Sequence, residues 1–186
     1  MGLRIISGNL KGRKLFSPKG VRIRPTADRL RESIFSILSA RVADSVVLDL
    51  FAGTGALGIE ALSRGASFAF FIDNDKEALS IIKKNTEICG LNDRIKIAGL
   101  NIERTFIDLR CETPCVNLVF MDPPYNKNLI RPTLINLSGN RILEKEALLV
   151  IEHDILETIP EDLPGYNIED QRRYGKTLVS FIKYMI

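Results

Sequence analysis

From Val46 onward the chain alternates short apolar runs with stretches of helical periodicity, and that alternation leaves few folds open to it. Runs at 46–50, 68–72, 94–98, 116–121 and 147–152 read as strands. The stretches 56–63, 76–88, 102–109 and 129–137 read as helices, and Gly65 and Gly90 close the first two. Such an order predicts an α/β fold, a parallel sheet with helices on both faces. The end of the chain differs. Residues 166–174 and 177–184 flank Gly175-Lys176, which predicts a terminal β-hairpin and one antiparallel strand. No internal repeat or low-complexity segment interrupts the pattern.

Ahead of this body lies a basic arm. Residues 1–41 hold ten Lys and Arg (Arg4, Lys11, Arg13, Lys14, Lys19, Arg22, Arg24, Arg29, Arg31, Arg41) against two acids, Asp28 and Glu32. The remaining residues are net acidic, so the overall charge of +3 conceals two opposite parts. A basic arm on an acidic body points to a polyanionic partner. Arg4-Ile5-Ile6-Ser7 and Arg13-Lys14-Leu15-Phe16, separated by residues 8–12, read as a small hairpin. Thr26 is placed to cap a helix running to about Ala40, with Leu30, Ile34, Ile37 and Leu38 on one face.

A chain of 186 residues suits one domain, here an arm over 1–41 and a body over 42–186. No apolar run approaches the ~20 residues of a membrane span. Met1-Gly2-Leu3-Arg4 lacks a signal-peptide layout, and Ile6 stands where a myristoylation motif needs Ser or Thr. Cys89, Cys111 and Cys115 are sparse, and His153 lies far from them, so no metal site is expected. The expected setting is a reducing cytoplasm. His153 reads as a structural or solvated group ahead of a catalytic base, Arg172 and Arg173 read as a solvated hairpin face or a contact to the polyanion, and no heptad stretch suggests a partner helix, so the chain is expected to act as a monomer.

Asp122-Pro123-Pro124-Tyr125 ends the apolar run 116–121, where a parallel strand opens into a loop. Open α/β sheets bind ligands at such strand ends. The prolines cannot continue the ladder and fix the direction of the chain. Tyr125 can offer a flat face to a planar substrate. Asp122 and the Pro123 carbonyl can offer acceptors, which suits a base bearing an exocyclic amino group.

Asp49-Leu50-Phe51-Ala52-Gly53-Thr54-Gly55-Ala56-Leu57-Gly58 joins the first sheet strand to its helix. Gly53, Gly55 and Gly58 match the dinucleotide fingerprint, and Asp73 follows Gly53 by 20 residues, where a ribose-binding acid belongs. A nicotinamide cofactor is one reading. Asp49 argues for the other: a carboxylate at the strand end suits a cofactor with an ammonium group and no pyrophosphate, as in S-adenosylmethionine. The chain also has no room for a separate substrate domain. Phe51, Ala52, Gly53, Thr54, Gly55, Asp73 and Asn74 are therefore cofactor-site candidates beside Asp49 and Asp122, and Asp75 reads as the cap of the following helix.

Taken together these residues resemble the RsmD-type bacterial methyltransferases of 16S ribosomal RNA, which act on the N2 amino group of a guanine. The resemblance spans nearly the whole chain. It rests on Arg4-Ile5-Ile6-Ser7-Gly8, Gly12-Arg13-Lys14-Leu15, Arg24-Pro25-Thr26-Ala27-Asp28-Arg29-Leu30-Arg31-Glu32, the glycine loop and Asp122-Pro123-Pro124-Tyr125. It implies a seven-strand Rossmann-like sheet, S-adenosylmethionine as cofactor, and an N-terminal extension that contacts the RNA of the small subunit. Arg4, Lys11, Arg13, Lys14, Arg22, Arg24 and Arg29 are its candidate RNA contacts, with a place near the cofactor as the other reading of Arg24 and Arg29. The resemblance also puts Asp73 on the ribose and Asn101 near the adenine amino group, where relatives carry an acid; a helix cap is the other reading of Asn101. Rival functions are a DNA amino methyltransferase acting on adenine N6 or cytosine N4, which would lack a target-recognition domain, and a non-catalytic RNA-binding assembly factor.

Overall fold

The computed structural model describes residues 2–18, 25–102, 116–160 and 162–186. The helix expected over 102–109, together with Arg22, Arg24, Cys111 and Cys115, lies wholly or almost wholly outside the described residues. The elements are α1 (Pro25–Leu38), β1 (Val46–Leu50), α2 (Ala56–Ser63), β2 (Phe68–Asp73), α3 (Lys76–Cys89), β3 (Ile95–Gly99), β4 (Val116–Met121), α4 (Ile130–Gly139), β5 (Leu143–Asp154), β6 (Tyr166–Tyr174) and β7 (Thr177–Tyr184).

The strands form a seven-stranded sheet in the order β3-β2-β1-β4-β5-β7-β6. All neighbours from β3 to β5 are parallel, and β7 runs antiparallel to both β5 and β6. The chain steps outward from β1 to β2 and β3, then returns to the other side of β1 as β4. The carboxyl ends of β1 and β4 thus flank the point where winding reverses, and a crevice opens there.

One sheet face, with Val47, Phe71, Leu118 and Phe120, packs against Phe35 of α1, Leu62 of α2 and Ile82 of α3. The other, with Leu48, Leu50, Val119 and Met121, packs against Ile130, Leu134 and Leu137 of α4. Central strands covered on both faces are apolar along most of their length, so β1 and β4 lack polar alternation and carry one polar residue each, Asp49 and Asn117.

Several boundaries differ from expectation. The N-terminal hairpin contracts to a single antiparallel bridge, Arg4 with Lys14. Ile6 and Ser7 give their N–H groups to Glu60 Oε2 and Oε1, at 2.8 and 2.9 Å, and so leave the ladder. α1 starts at Pro25, so Thr26 lies inside the helix. Proline suits the first turn because its missing N–H would have had no partner there. Ile37 is 40% exposed while Phe35 is buried, because Phe35 continues the stripe of Leu30, Ile34 and Leu38 and Ile37 falls off it. β5 is longer than 147–152 at both ends: its start pairs with β4 across a register shift, and its end pairs with β7 as far as Asp154. β2 continues to Asp73, and Asp75 caps α3 by accepting the Glu77 N–H, as expected.

The N-terminal arm is fastened to α2 and α3. The buried Glu60 of α2 also receives Arg64 Nε at 2.8 Å. Arg31, itself buried, approaches Glu60 at 3.9 Å and donates to the Arg4 carbonyl at 2.7 Å. On α3, Asn85 accepts Phe16 N–H at 2.6 Å and donates to the Phe16 and Thr54 carbonyls, at 3.0 and 2.9 Å. One buried amide therefore ties the arm to the glycine loop.

Candidate active site

The loop over residues 51–55 folds back on the sheet: Ala52 N–H donates to the Ile72 carbonyl at 3.1 Å, and Gly55 N–H to the Ala52 carbonyl at 2.7 Å. α2 then packs so closely that a Cβ at Gly58 would lie 2.4 Å from the Phe71 ring and 3.1 Å from Asp49 Oδ2. Only glycine fits there. Beneath the loop, Asp49 is buried and accepts the Gly58 N–H on Oδ2 at 2.9 Å. Burial pushes its pKa up to about 8; the Gly58 bond opposes the rise and the Asp73 charge adds to it.

Asp73, at the end of β2, holds Gly53 N–H on Oδ2 at 2.8 Å and Asp75 N–H on Oδ1 at 2.9 Å. Each oxygen keeps a further lone pair, so the carboxylate fixes the loop and can still accept from a vicinal diol. Asn74 is exposed beside it. Asn101 is exposed one residue beyond Leu100, whose N–H reaches the Asp73 carbonyl at 3.0 Å.

The strand register assembles the rest. Leu50 pairs with Met121, and Met121 with Ile151, so Phe51, Asp122 and Glu152 follow one another across three strand ends. Pro123 is buried and holds the turn, while Asp122 opens onto the crevice. Protein atoms nonetheless crowd the Asp122 carboxylate. That loss of water, then the charges of Glu152 and Asp49, raise its pKa well above the usual range. Tyr125 is 38% exposed. Its hydroxyl donates to Glu152 Oε1 at 3.0 Å and lies 3.1 Å from Thr177 Oγ1 on β7. Burial raises the Glu152 pKa, against the Tyr125 bond. Burial also raises that of Tyr125, opposed by Thr177 and reinforced by Glu152 and Asp122. The loop beyond is anchored by Asn126 N–H on Glu157 Oε2 at 3.2 Å.

The crevice thus gathers the carboxylates Asp49, Asp73, Asp122 and Glu152. They oppose a pyrophosphate and favour a cationic ligand, which decides between the two cofactor readings of the glycine loop. A Cβ at Gly53 would meet only the Phe51 carbonyl, at 3.9 Å, so the loop leaves space above it. A sulfonium cofactor with an amino-acid end and a ribose fits this set of acceptors.

Among the candidate RNA contacts, Arg4, Lys11, Arg13, Lys14 and Arg29 are exposed. The Arg13 guanidinium donates to the Ile88 carbonyl, so it helps dock the arm. His153 is fully buried and structural: Nδ1 donates to the Glu157 carbonyl at 2.7 Å, and Ser180 Oγ stands 2.8 Å from Nε2. Sequence reading weighed His153 and passed over its neighbour Glu152. The signal was present, an acid just past the apolar run 147–151, in the same relation to its strand as Asp122. Thr177 and Asn85 carried no such signal. Among the described residues no three His, Cys, Asp or Glu are grouped to hold a metal ion, and no helix is long and apolar enough to cross a membrane.

Known proteins share this sequence and fold. The family described as Conserved hypothetical protein 95 matches residues 3–183. "Putative rRNA methyltransferase YlbH" of Bacillus subtilis is 34% identical over 181 residues, covering 97% of this chain and 98% of the relative. Ribosomal RNA small subunit methyltransferase D of Escherichia coli is 35% identical over 175 residues, 94% of this chain and 86% of the relative. The solved structure of "Putative methyltransferase yhhF from Escherichia coli" superposes with a TM-score of 0.86 at 30% identity, over 98% of both chains. With the family model matching residues 3–183 and about a third of its sequence shared with these relatives along most of their length, the chain belongs to the RsmD-type family of small-subunit ribosomal RNA methyltransferases.

Proposed function

We propose that this chain transfers the methyl group of S-adenosylmethionine to the exocyclic N2 amino group of a guanine in 16S ribosomal RNA. At the coarser level it is an S-adenosylmethionine-dependent methyltransferase of small-subunit ribosomal RNA. The observation that carries the finer reading is Asp122, crowded yet open to the crevice, one turn of chain from the exposed Tyr125 ring.

S-adenosylmethionine supplies a methyl group on a cationic sulfur. Asp73 accepts the ribose hydroxyls and Asp49 offers charge to the ammonium end, with residues 51–55 as the cradle. Asn74 and Asn101 border the adenosine side. A guanine N2 lone pair is delocalised into the ring and is a weak nucleophile. Asp122 and the Pro123 carbonyl accept its two hydrogens, drawing the nitrogen toward a tetrahedral state. Tyr125 stacks on the base. As the N–C bond forms and the C–S bond breaks, positive charge grows on nitrogen, and the fixed Asp122 carboxylate stabilises it. The released proton passes to Asp122 and on to water. Alignment of the reacting atoms supplies much of the remaining acceleration.

The base must be unpaired or flipped out to reach this edge. In this reading residues 1–41 hold phosphates and residues 42–186 carry the chemistry, in a cytoplasmic monomer. The test is transfer of radiolabelled methyl to unmethylated small subunits, naked 16S RNA and duplex DNA. Label recovered as N2-methylguanine from RNA, and lost in Asp122→Ala while cofactor binding persists in weakened form, supports the reading. Label in DNA, or full turnover in Asp122→Ala, overturns it.

A further inference from the structure

The chemistry of methyl transfer leaves Glu152 unused, and the structure does not account for it as a structural group. It follows Ile151, the β5 residue paired with Met121, just as Asp122 follows Met121, and the charges of the two groups interact. None of the ion pairs among the described residues includes it. Oε1 takes the Tyr125 hydroxyl, and Oε2 makes no hydrogen bond among the described residues. Two carboxylates side by side, crowded and without a cation, weaken the folded state, and such arrangements concentrate where a ligand uses them.

We infer that Glu152 is a specificity-determining residue that accepts the N1–H of the target guanine while Asp122 accepts from its N2 amino group. The inference rests on the guanine-N2 reading and deepens it. Guanine presents N1–H and the N2 amino hydrogens next to one another, donors only. In their ionised forms, which the positive charge of the cofactor favours, two carboxylates are acceptors only and complement that edge. Adenine and cytosine place a ring-nitrogen lone pair next to their amino group, and that lone pair would face a carboxylate with no hydrogen between them. Sites built on such complementarity discriminate by about 10⁴–10⁵ when a donor is missing and a buried acceptor is left unpaired. Tyr125 and Thr177 have a defined part here. Thr177 can donate to the phenol oxygen while the phenol donates to Oε1, which fixes one carboxylate oxygen and leaves the other for the base.

The discriminating substrate is 2,6-diaminopurine, which keeps the 2-amino group but carries a bare N1. Small subunits are assembled from 16S RNA ligated to carry either guanine or 2,6-diaminopurine at the nucleotide the wild type methylates. The wild type should prefer guanine in kcat/KM by at least about 10²-fold. Glu152→Gln keeps an oxygen for the Tyr125 hydroxyl and can turn its amide N–H toward a bare N1. Its guanine rate should fall about 10²-fold and the preference should shrink by a similar factor, with S-adenosylmethionine affinity by calorimetry unchanged. Tyr125→Phe should slow both substrates and keep the preference. Should Glu152→Gln not fold, Glu152→Ala is read in the same way, since it too removes the repulsion. A preference unchanged in the Glu152 variants, with both substrates slowed equally, reduces Glu152 to a support for Tyr125 and overturns the inference. If the wild type yields no N2-methylguanine at all, the guanine reading itself has failed, which is a separate outcome.

Discussion

Asp49→Asn should flatten the pH dependence of stability of the ligand-free protein. Asp49 is buried beneath the glycine loop, its only hydrogen bond among the described residues coming from the Gly58 N–H. A carboxyl whose pKa is higher folded than unfolded holds its proton more firmly in the folded state. Its contribution to stability is complete below the unfolded value of ~3.9 and is lost as pH rises through the folded value of about 8. Across that window one such group costs about 1.4 kcal/mol per pH unit, hence about 2.7 kcal/mol between pH 5 and pH 7. Asparagine retains an oxygen for the Gly58 N–H and nearly the same volume, but never ionises. Its buried amide adds an offset that does not vary with pH, so the slope is the readout. Asp122 and Glu152 slope in the same direction in both proteins, and the difference between the two curves reports Asp49 together with its charge coupling to Asp122. Urea unfolding at pH 5, 6, 7 and 8 gives the curves. Parallel curves, differing in slope by less than about 0.3 kcal/mol per pH unit, would refute the reasoning, because Asp49 would then be solvated in the folded protein.

Gly8→Ala should detach the arm, since its Cβ would stand 1.9 Å from the Ser63 carbonyl oxygen at φ +80, whereas Gly12→Ala, at φ +83 with nothing within 4 Å, should cost only the backbone strain of about 1–2 kcal/mol. Unfolding midpoints of the two variants check this. Asn85→Leu should raise the dissociation constant for S-adenosylmethionine about tenfold by calorimetry, because the Thr54 carbonyl and both Phe16 backbone groups lose their buried partner at about 1–3 kcal/mol each. Lys11→Glu with Lys14→Glu should weaken RNA binding and make its salt dependence shallower, by about one in slope for each phosphate left without a cation. Filter binding at several salt concentrations measures that slope, and cofactor affinity should stay constant.

The sheet was legible because its signals are local. Apolar runs mark β1, β2 and β4, Gly90 ends α3 in the left-handed conformation, and Gly175-Lys176 turns β6 into β7. The positions of Asp73, which ends β2, and Asp122, which directly follows β4, were legible for the same reason. Errors arose where tertiary packing chose between equal local options. Phe35 and Ile37 are both apolar, and only the direction of the sheet buries the first. The hairpin at Arg4 and Lys14 has strand-like sequence, and Glu60, 53 and 54 residues away, diverts its donors. Asn85 reaches back 69 residues to Phe16 and 31 to Thr54, and no periodicity encodes such partners. Glu152 gained its meaning only when the register set Ile151 against Met121.

The division of charge between arm and crevice follows from what each must hold. RNA is a polyanion, and the acids Asp49, Asp73, Asp122 and Glu152 of the crevice offer it no cation, so attraction must come from elsewhere on the chain. In the proposed reading the exposed Arg4, Lys11, Lys14 and Arg29 would supply it from the arm, and Glu60 and Asn85 lock that arm against α2, α3 and the glycine loop. The crevice in turn suits a cationic cofactor, whose charge favours the ionised forms of the carboxylates around it and so prepares Asp122 as an acceptor. Asn85 joins the arm to the glycine loop, so under the proposed reading RNA held on the arm should raise the affinity for S-adenosylmethionine, and linkage requires the cofactor to raise RNA affinity by the same factor. Equal cofactor affinity with and without RNA by calorimetry would refute the coupling.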